Sequence, residues 1–353
     1  MLPQTLNTLQ TIGVLEKVRP HFIEKHGARF HDDACTKVTR FDFASAFDDR
    51  FPHAFQVPRD EFDALLLDHA RTLGVDVREG WEVIRAVRDP QGTVVGVEAR
   101  DDAGGTHVIN AAFVVDATGR DALLAHAERA TSKIEGLDKC AFYSHYTGIK
   151  REEGLAAGDI DIVLFSGGWF WIIPFKDGRT SVGAVVSSEW LKTRSREKRE
   201  TPDDLLHRAI ADSPAATRLL AGSEQQWPAR AAADFSYRVG AMTGPGWLAV
   251  GDAGGFIDPL FSTGVHIATY GGMLAAESIC APERLETFEA TIRGGAELFV
   301  SAVQAFYRGT LTRYIFTDNP RTYLRRAITS MLSGDVFTEE RWAQDMRARL
   351  KDM

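Results

Sequence analysis

The chain has 353 residues, of which 44% are hydrophobic and 25% charged, ordinary values for a globular protein long enough for two domains. A formal net charge of -8 argues against nucleic acid as the main partner. No apolar run reaches the roughly 18 residues of a membrane span, and no basic-then-apolar opening suggests a secretory signal. Cys35, Cys140 and Cys280 form neither a metal-ligand spacing nor an even disulfide framework, which fits a reducing, cytoplasmic setting. In chain order, residues 5–18 are predicted as a helix on Leu6, Leu9, Ile12, Leu15 and Val18. Residues 28–57 are rich in strand formers, with Phe30, Phe41, Phe43, Phe47, Phe51 and Phe55. Asp60 is placed to cap a helix whose inner face is Phe62, Leu65, Leu66, Ala70 and Leu73. A β-meander follows over 81–87, 93–99 and 107–110, and 114–116 reads as a further strand. Residues 139–187 read as antiparallel strands with a hairpin turn at Lys176-Asp177-Gly178. Thr201 and Pro202 start a helix, and residues 224–239 return to strand. From 281 to the end the chain is helical, with a break at Pro320.

Two segments carry chemistry. The first is Trp169-Phe170-Trp171-Ile172-Ile173-Pro174. Indoles at i and i+2 of a strand share a face, and the proline ends the strand because it has no N–H for the ladder. The result is a rigid aromatic wall or, on a plainer reading, a packed sheet core. The second segment runs from Gly246 to Ala276. A short apolar strand at 247–250 leads to Gly251-Asp252, a loop with Gly254 and Gly255, and Asp258-Pro259. Ser262-Thr263-Gly264 then opens a long apolar helix. Asp252 can accept hydrogen bonds from ribose or ribityl hydroxyls. The helix start near Gly264 offers free N–H groups and a positive dipole end, which suit the carbonyl side of a flavin ring or a halide. The plainer alternative is a glycine-rich turn capped by Ser262 or Thr263.

Together these segments resemble the flavin-dependent halogenases, within the wider superfamily of FAD monooxygenases and geranylgeranyl reductases. Trp169 to Pro174 matches the halogenase W-x-W-x-I-P signature. Gly251-Asp252 matches the superfamily G-D motif at the FAD ribose and ribityl. Asp258-Pro259 through Gly264 matches the D-P-x-x-S-[ST]-G stretch around the flavin ring, with Val265 just beyond it. Arg59 before a helix, and the Asp116-Ala117-Thr118-Gly119 turn, match two further superfamily patterns. The resemblance implies an α/β fold of mixed α+β character. It has a Rossmann-like FAD-binding domain (1–18, 56–138 and 245–282), an inserted antiparallel β-sheet substrate domain (19–55 and 139–244) and a helical C-terminal region (283–353). The Rossmann-like part is expected to be incomplete, because no G-x-G-x-x-G precedes Asp116. Met1 to Leu6 resembles the family segment that follows the first β-α-β unit, so an N-terminally truncated form is expected.

What the resemblance implies about activity is specific. Reduced FAD from a separate flavin reductase would use oxygen and chloride or bromide to make hypohalous acid, with Ser262, Thr263 and Gly264 contacting the halide. Trp169, Trp171 and Pro174 would keep the organic substrate off the flavin. Lys25, in a K-x-G-A context that matches the halogenase lysine, would hold hypohalous acid or form a chloramine. Lys37, the next candidate, lacks that context. Arg59, Gly251, Asp252, Asp258, Pro259, Gly264 and Val265 are the expected cofactor contacts, and no metal is expected. Tryptophan halogenases carry a Glu two residues before the Thr of the S-T-G motif; here that position is Phe261. A small phenol- or pyrrole-like aromatic substrate, free or tethered to a carrier protein, is therefore expected rather than free tryptophan. The alternatives are a geranylgeranyl-reductase-like flavoprotein, an aromatic hydroxylase and an inactive remnant.

Overall fold

The computed structural model describes residues 1–34, 36–127, 131–194, 200–233, 236–318 and 321–352. Cys35 and Pro320 lie outside the described residues. The strand formers around the tryptophan motif build one large sheet. Its order is Glu224–Gln225, Lys139–Thr147, Thr180–Ser187, Gly168–Pro174, Ile160–Phe165, Gly27–His31 and Val38–Asp42, with Arg230–Ala233 also paired to Lys139–Thr147. All neighbours are antiparallel except Ile160–Phe165 beside Gly27–His31. Strand alternation sorts side chains into two cores. Ala28, Phe30, Phe41, Ile162, Trp169 and Val185 join the main core. Phe142, Val163, Phe170, Ile172, Val182 and Ala184 join a second core, which helices Pro202–Asp212 and Pro214–Leu219 close. The expected start of the first of these helices is present as a full capping box between Thr201 and Asp204.

A separate small sheet carries the glycine loop. Trp247–Ala249 pairs in parallel with Val114–Asp116, and Thr243–Gly244 lies on its other side. The meander Glu82–Arg88, Val94–Arg100 and Thr106–Asn110 is tied to this sheet through the Val94 N–H, which donates to the Pro245 carbonyl. Among the described residues no strand pairs with the outer edge of Val114–Asp116, and Val115 there is 42% exposed. The apolar helix Gly264–Cys280 packs between Thr5–Thr11 and the long helix Leu285–Tyr307. Helices Thr310–Ile315, Thr322–Leu332 and Arg341–Asp352 complete the main core. Among the described residues no helix is long and apolar enough to cross a membrane.

Several local expectations are corrected. Residues 5–18 form two helices, Thr5–Thr11 and Leu15–Val18, because Gly13 takes φ +75° and ends the first. Pro58, not Asp60, occupies the N-cap of Arg59–Thr72, and Asp60 lies in its first turn. Leu73 follows that helix and is exposed instead of facing inward. The C-terminal helices also break at Gly309, where φ is +79°, and between 333 and 340.

Candidate active site

Lys25 ends the short strand Ile23–Lys25, which pairs with Ala54–Gln56. Its side chain turns inward, and the residue is 2% exposed. The ammonium lies 3.5 Å from the Met1 carbonyl oxygen and 5.5 Å from the centre of the Phe43 ring. Burial pushes this amine down from 10.5 to about 8, against the opposing pull of the Asp159 carboxylate. Asp159 also accepts from the His26 N–H at 3.1 Å and from Arg40 at 2.7 Å, which fixes the chain just after Lys25. A Cβ at Gly27 would run into the Phe41 carbonyl, which gives the glycine of the K-x-G-A context a steric reason. Lys37, by contrast, is exposed and pairs with Asp318.

The tryptophans share a face as expected, with ring centroids 6.0 Å apart. Trp169 is 1% exposed, and its indole N–H donates to the Tyr307 hydroxyl at 2.9 Å. That hydroxyl donates in turn to Asp258 Oδ2 at 2.8 Å, and Asp258 Oδ1 accepts from the Leu260 N–H at 3.0 Å. Burial raises the Asp258 carboxyl to about 6, opposed by the Tyr307 and Leu260 hydrogen bonds and by Lys139. Burial, with Asp258 beside it, also raises the Tyr307 phenol above its usual value. The Lys139 ammonium lies 4.2 Å from the centre of the Tyr307 ring. One tyrosine thus ties the tryptophan motif to the Asp258-Pro259 turn. Sequence reasoning missed Tyr307. Its only signal is a hydroxyl on a helix with a buried apolar face, which demands a partner.

Trp171 lies over Gly183, its cross-strand partner, where an added Cβ would enter the indole. Its N–H donates to Ser181 Oγ at 3.0 Å, and Tyr143 flanks the ring. Pro174 closes the strand, opposite Thr180.

The glycine loop turns at Gly251, where φ is +57°, and continues as one tight helical turn to Gly254. Asp252 in this turn is partly buried. Burial raises its carboxyl, while Arg59 and Arg120 pull it down. Arg59 itself pairs with Asp63 on the surface, 2.9 Å away. Ser262 takes a left-handed conformation, φ +57°, and helix Gly264–Cys280 starts with no side-chain cap, so the capped-turn alternative does not hold. Thr263 is buried, whereas Gly264 is exposed and has open space where its Cβ would be. Phe261 is buried against Phe306. A cavity of about 270 Å³ beside the loop is lined by Gly251, Gly254, Gly255, Tyr237, Ile267 and Arg293. Among the described residues, no hydrogen bond joins Lys25 to either tryptophan.

Comparison with known proteins adds three findings. The sequence profile of the tryptophan halogenase family matches residues 31–316. The chain is 34% identical over 234 residues to a tryptophan 2-halogenase of Chondromyces crocatus, covering 65% of this chain and 44% of that protein. It is 28% identical over 372 residues to a 1H-pyrrole-2-carbonyl peptidyl-carrier-protein chlorinase of Pseudomonas fluorescens, covering 97% of this chain and 81% of that protein. Among solved structures, that of the myxobacterial chondrochloren halogenase CndH aligns with a TM-score of 0.75 at 28% identity, over 99% of this chain and 86% of that one. The chain therefore spans less than half the length of the first relative and about four fifths of the second.

Proposed function

The chain belongs to the tryptophan halogenase family, and on that premise we propose that it is an FAD-dependent halogenase acting on an electron-rich phenol- or pyrrole-like substrate. The observation that carries this reading is a buried Lys25 amine, poised near 8, in a chain that also holds the Trp169-Trp171 wall. Reduced FAD, with oxygen and chloride or bromide, supplies electrophilic halogen in the form of hypohalous acid. The uncapped start of helix Gly264–Cys280, the positive-φ turn at Gly251 and the half-buried Asp252 fit the ring and ribityl portions of a flavin. Gly251, Asp252, Pro259, Gly264 and Val265 would line that part, and Arg59 would add positive charge near it. Asp258, with both oxygens engaged inside the protein, holds the turn instead of reaching outward. Ser262, Thr263 and Gly264 would hold the halide at the dipole end.

The remaining steps belong to the chain. Near neutrality the Lys25 ammonium donates a hydrogen bond to hypohalous acid and directs the halogen to the aromatic ring. Trp169, Trp171 and Pro174 exclude the organic substrate from the flavin side. The cofactor part comprises 1–18, 56–138 and 245–282, the substrate part 19–55 and 139–244, and the helical region 283–353. A separate flavin reductase would deliver the reduced cofactor in the cytoplasm, as membership of the halogenase family suggests. The pyrrolyl-carrier-protein relative favours a substrate tethered to a carrier protein. The test supplies reduced FAD, then oxygen, bromide and a phenol or pyrrole thioester. Brominated product is expected, and Lys25→Ala should abolish it while flavin oxidation continues. An oxygenated product, or unchanged bromination by Lys25→Ala, would overturn the reading.

A further inference from the structure

The C-terminal helices carry a charge opposite in sign to that of the whole chain. Residues 308–352 hold nine Arg and Lys against six Asp and Glu, in a chain of net charge -8. Part of that excess converges on one cavity of about 490 Å³, lined by Phe41, Tyr314, Arg321, Tyr323, Arg325 and Arg349, with no carboxylate in its wall. Arg325 is fixed there: its guanidinium stacks 4.8 Å from the centre of the Phe41 ring and donates to the Arg40 carbonyl at 2.6 Å. Arg321 and Arg349 are exposed and form no ion pair with the described residues. The nearby carboxylates are engaged elsewhere, Asp318 by Lys37 and Asp345 by the Tyr323 hydroxyl. Two uncommitted guanidiniums beside a fixed one suit a singly charged phosphodiester, which the planar fork of arginine matches. Phe41, Leu324 and Ile328 give the wall an apolar stretch, beside Thr317 and the two tyrosines.

That pairing of anion sites with an apolar floor matches one chemical group. In phosphopantetheine the phosphodiester is joined through one methylene to a carbon bearing two methyl groups. The pocket also lies near the proposed chemistry. Phe41 sits on Val38–Asp42, the edge strand of the large sheet, and Phe43, two residues on, faces the Lys25 ammonium. Two residues of chain span at most about 7 Å, and the ammonium lies 5.5 Å from the centre of the Phe43 ring, a separation within the reach of a phosphopantetheine arm.

We propose that the pocket formed by Arg321, Arg325 and Arg349 over Phe41 receives the phosphodiester of a carrier protein's phosphopantetheine arm. The proposal rests on the carrier-tethered reading above and says where that partner is recognised.

The test uses the full chain with FAD, a flavin reductase and bromide. Two substrates are compared, the pyrrole-2-carboxyl thioesters of 4′-phosphopantetheine and of pantetheine, which differ only by the phosphate. The parent should show a KM about tenfold lower for the phosphorylated thioester, a gap that narrows as salt rises. The double variant Arg321→Ala, Arg349→Ala should erase the gap while leaving pantetheine thioester turnover and flavin oxidation unchanged. Titration of 4′-phosphopantetheine onto flavin-free protein should show the same loss of binding without turnover. Equal KM values for the two thioesters in the parent, or a gap that survives in the variant, overturn the pocket alone. A variant that loses both thioesters equally also overturns it. Halogenation of a free phenol with turnover of neither thioester refutes the carrier-tethered reading itself.

Discussion

Replacing Lys25 with methionine keeps the length of the side chain and removes its charge. Burial holds the amine near 8 instead of 10.5. At about 1.4 kcal/mol per pKa unit, the buried ammonium lowers folding stability by about 3 kcal/mol at pH 7. The sign follows from proton counting. Between pH 8 and 10.5 the unfolded chain keeps a proton on this lysine that the native protein has released, so stability rises with pH across that window. Below pH 8 the whole penalty is present. The value near 8 already includes the attraction of Asp159, and the direct contacts of the ammonium are weak, a hydrogen bond at 3.5 Å and a ring approach at 5.5 Å. Lys25→Met should therefore be about 3 kcal/mol more stable than the parent at pH 7, with the difference falling toward zero as pH passes about 10. With an unfolding entropy of about 2.1 cal/mol/K per residue, that is a rise in Tm of about 4 °C for a chain of this length. Urea unfolding followed by tryptophan fluorescence at several pH values gives the difference directly. The same variant should lose halogenation. A variant less stable than the parent at pH 7, or a stability difference that does not change with pH, would refute the reasoning.

Asp258→Asn should also stabilise at neutral pH, by about 3 kcal/mol at most, because the native carboxyl near 6 releases its proton later than the unfolded one. Its penalty grows as pH rises from 3.8 to about 6, so the advantage of the variant should vanish in unfolding measured near pH 4. Tyr307→Phe leaves the Trp169 N–H and one Asp258 oxygen unpaired, and should lower stability by about 2 kcal/mol in urea. An unchanged midpoint would mean that water replaces the phenol. Gly183→Ala places a methyl in the space of the Trp171 ring and should cost about 1–3 kcal/mol, with a changed near-ultraviolet circular dichroism spectrum. An unaltered spectrum would show that the indole is not held there.

The large sheet was legible because its strands alternate and its turns carry turn residues, as at Asp177-Gly178, where φ is +99°. The Thr201 cap was legible for the same local reason. The motif residues could be named from spacing, yet their partners could not. Tyr307 meets Trp169 and Asp258 only after the long helix has packed, and no local pattern encodes that meeting. Asp258 reads as a polar loop residue, but tertiary burial turns it inward. The helical pattern over residues 5–18 hid the break at Gly13, since glycine alone does not announce a left-handed turn.

The hollow at Gly183 also bears on how the sheet assembles. A strand that slips by one residue turns every side chain to the opposite face. For Gly168–Pro174 such a slip would push both indoles toward helices Pro202–Asp212 and Pro214–Leu219 and bring Phe170 and Ile172 into the main core. Trp171 would then face Val182 or Ala184, where no glycine leaves room for a ring, and its N–H would lose Ser181. Mispaired intermediates are thereby raised in energy relative to the native pairing, which narrows the folding funnel at the strand that carries the signature. The bulkiest residues of the wall act as a proofreading device during folding, before any substrate or oxidant arrives.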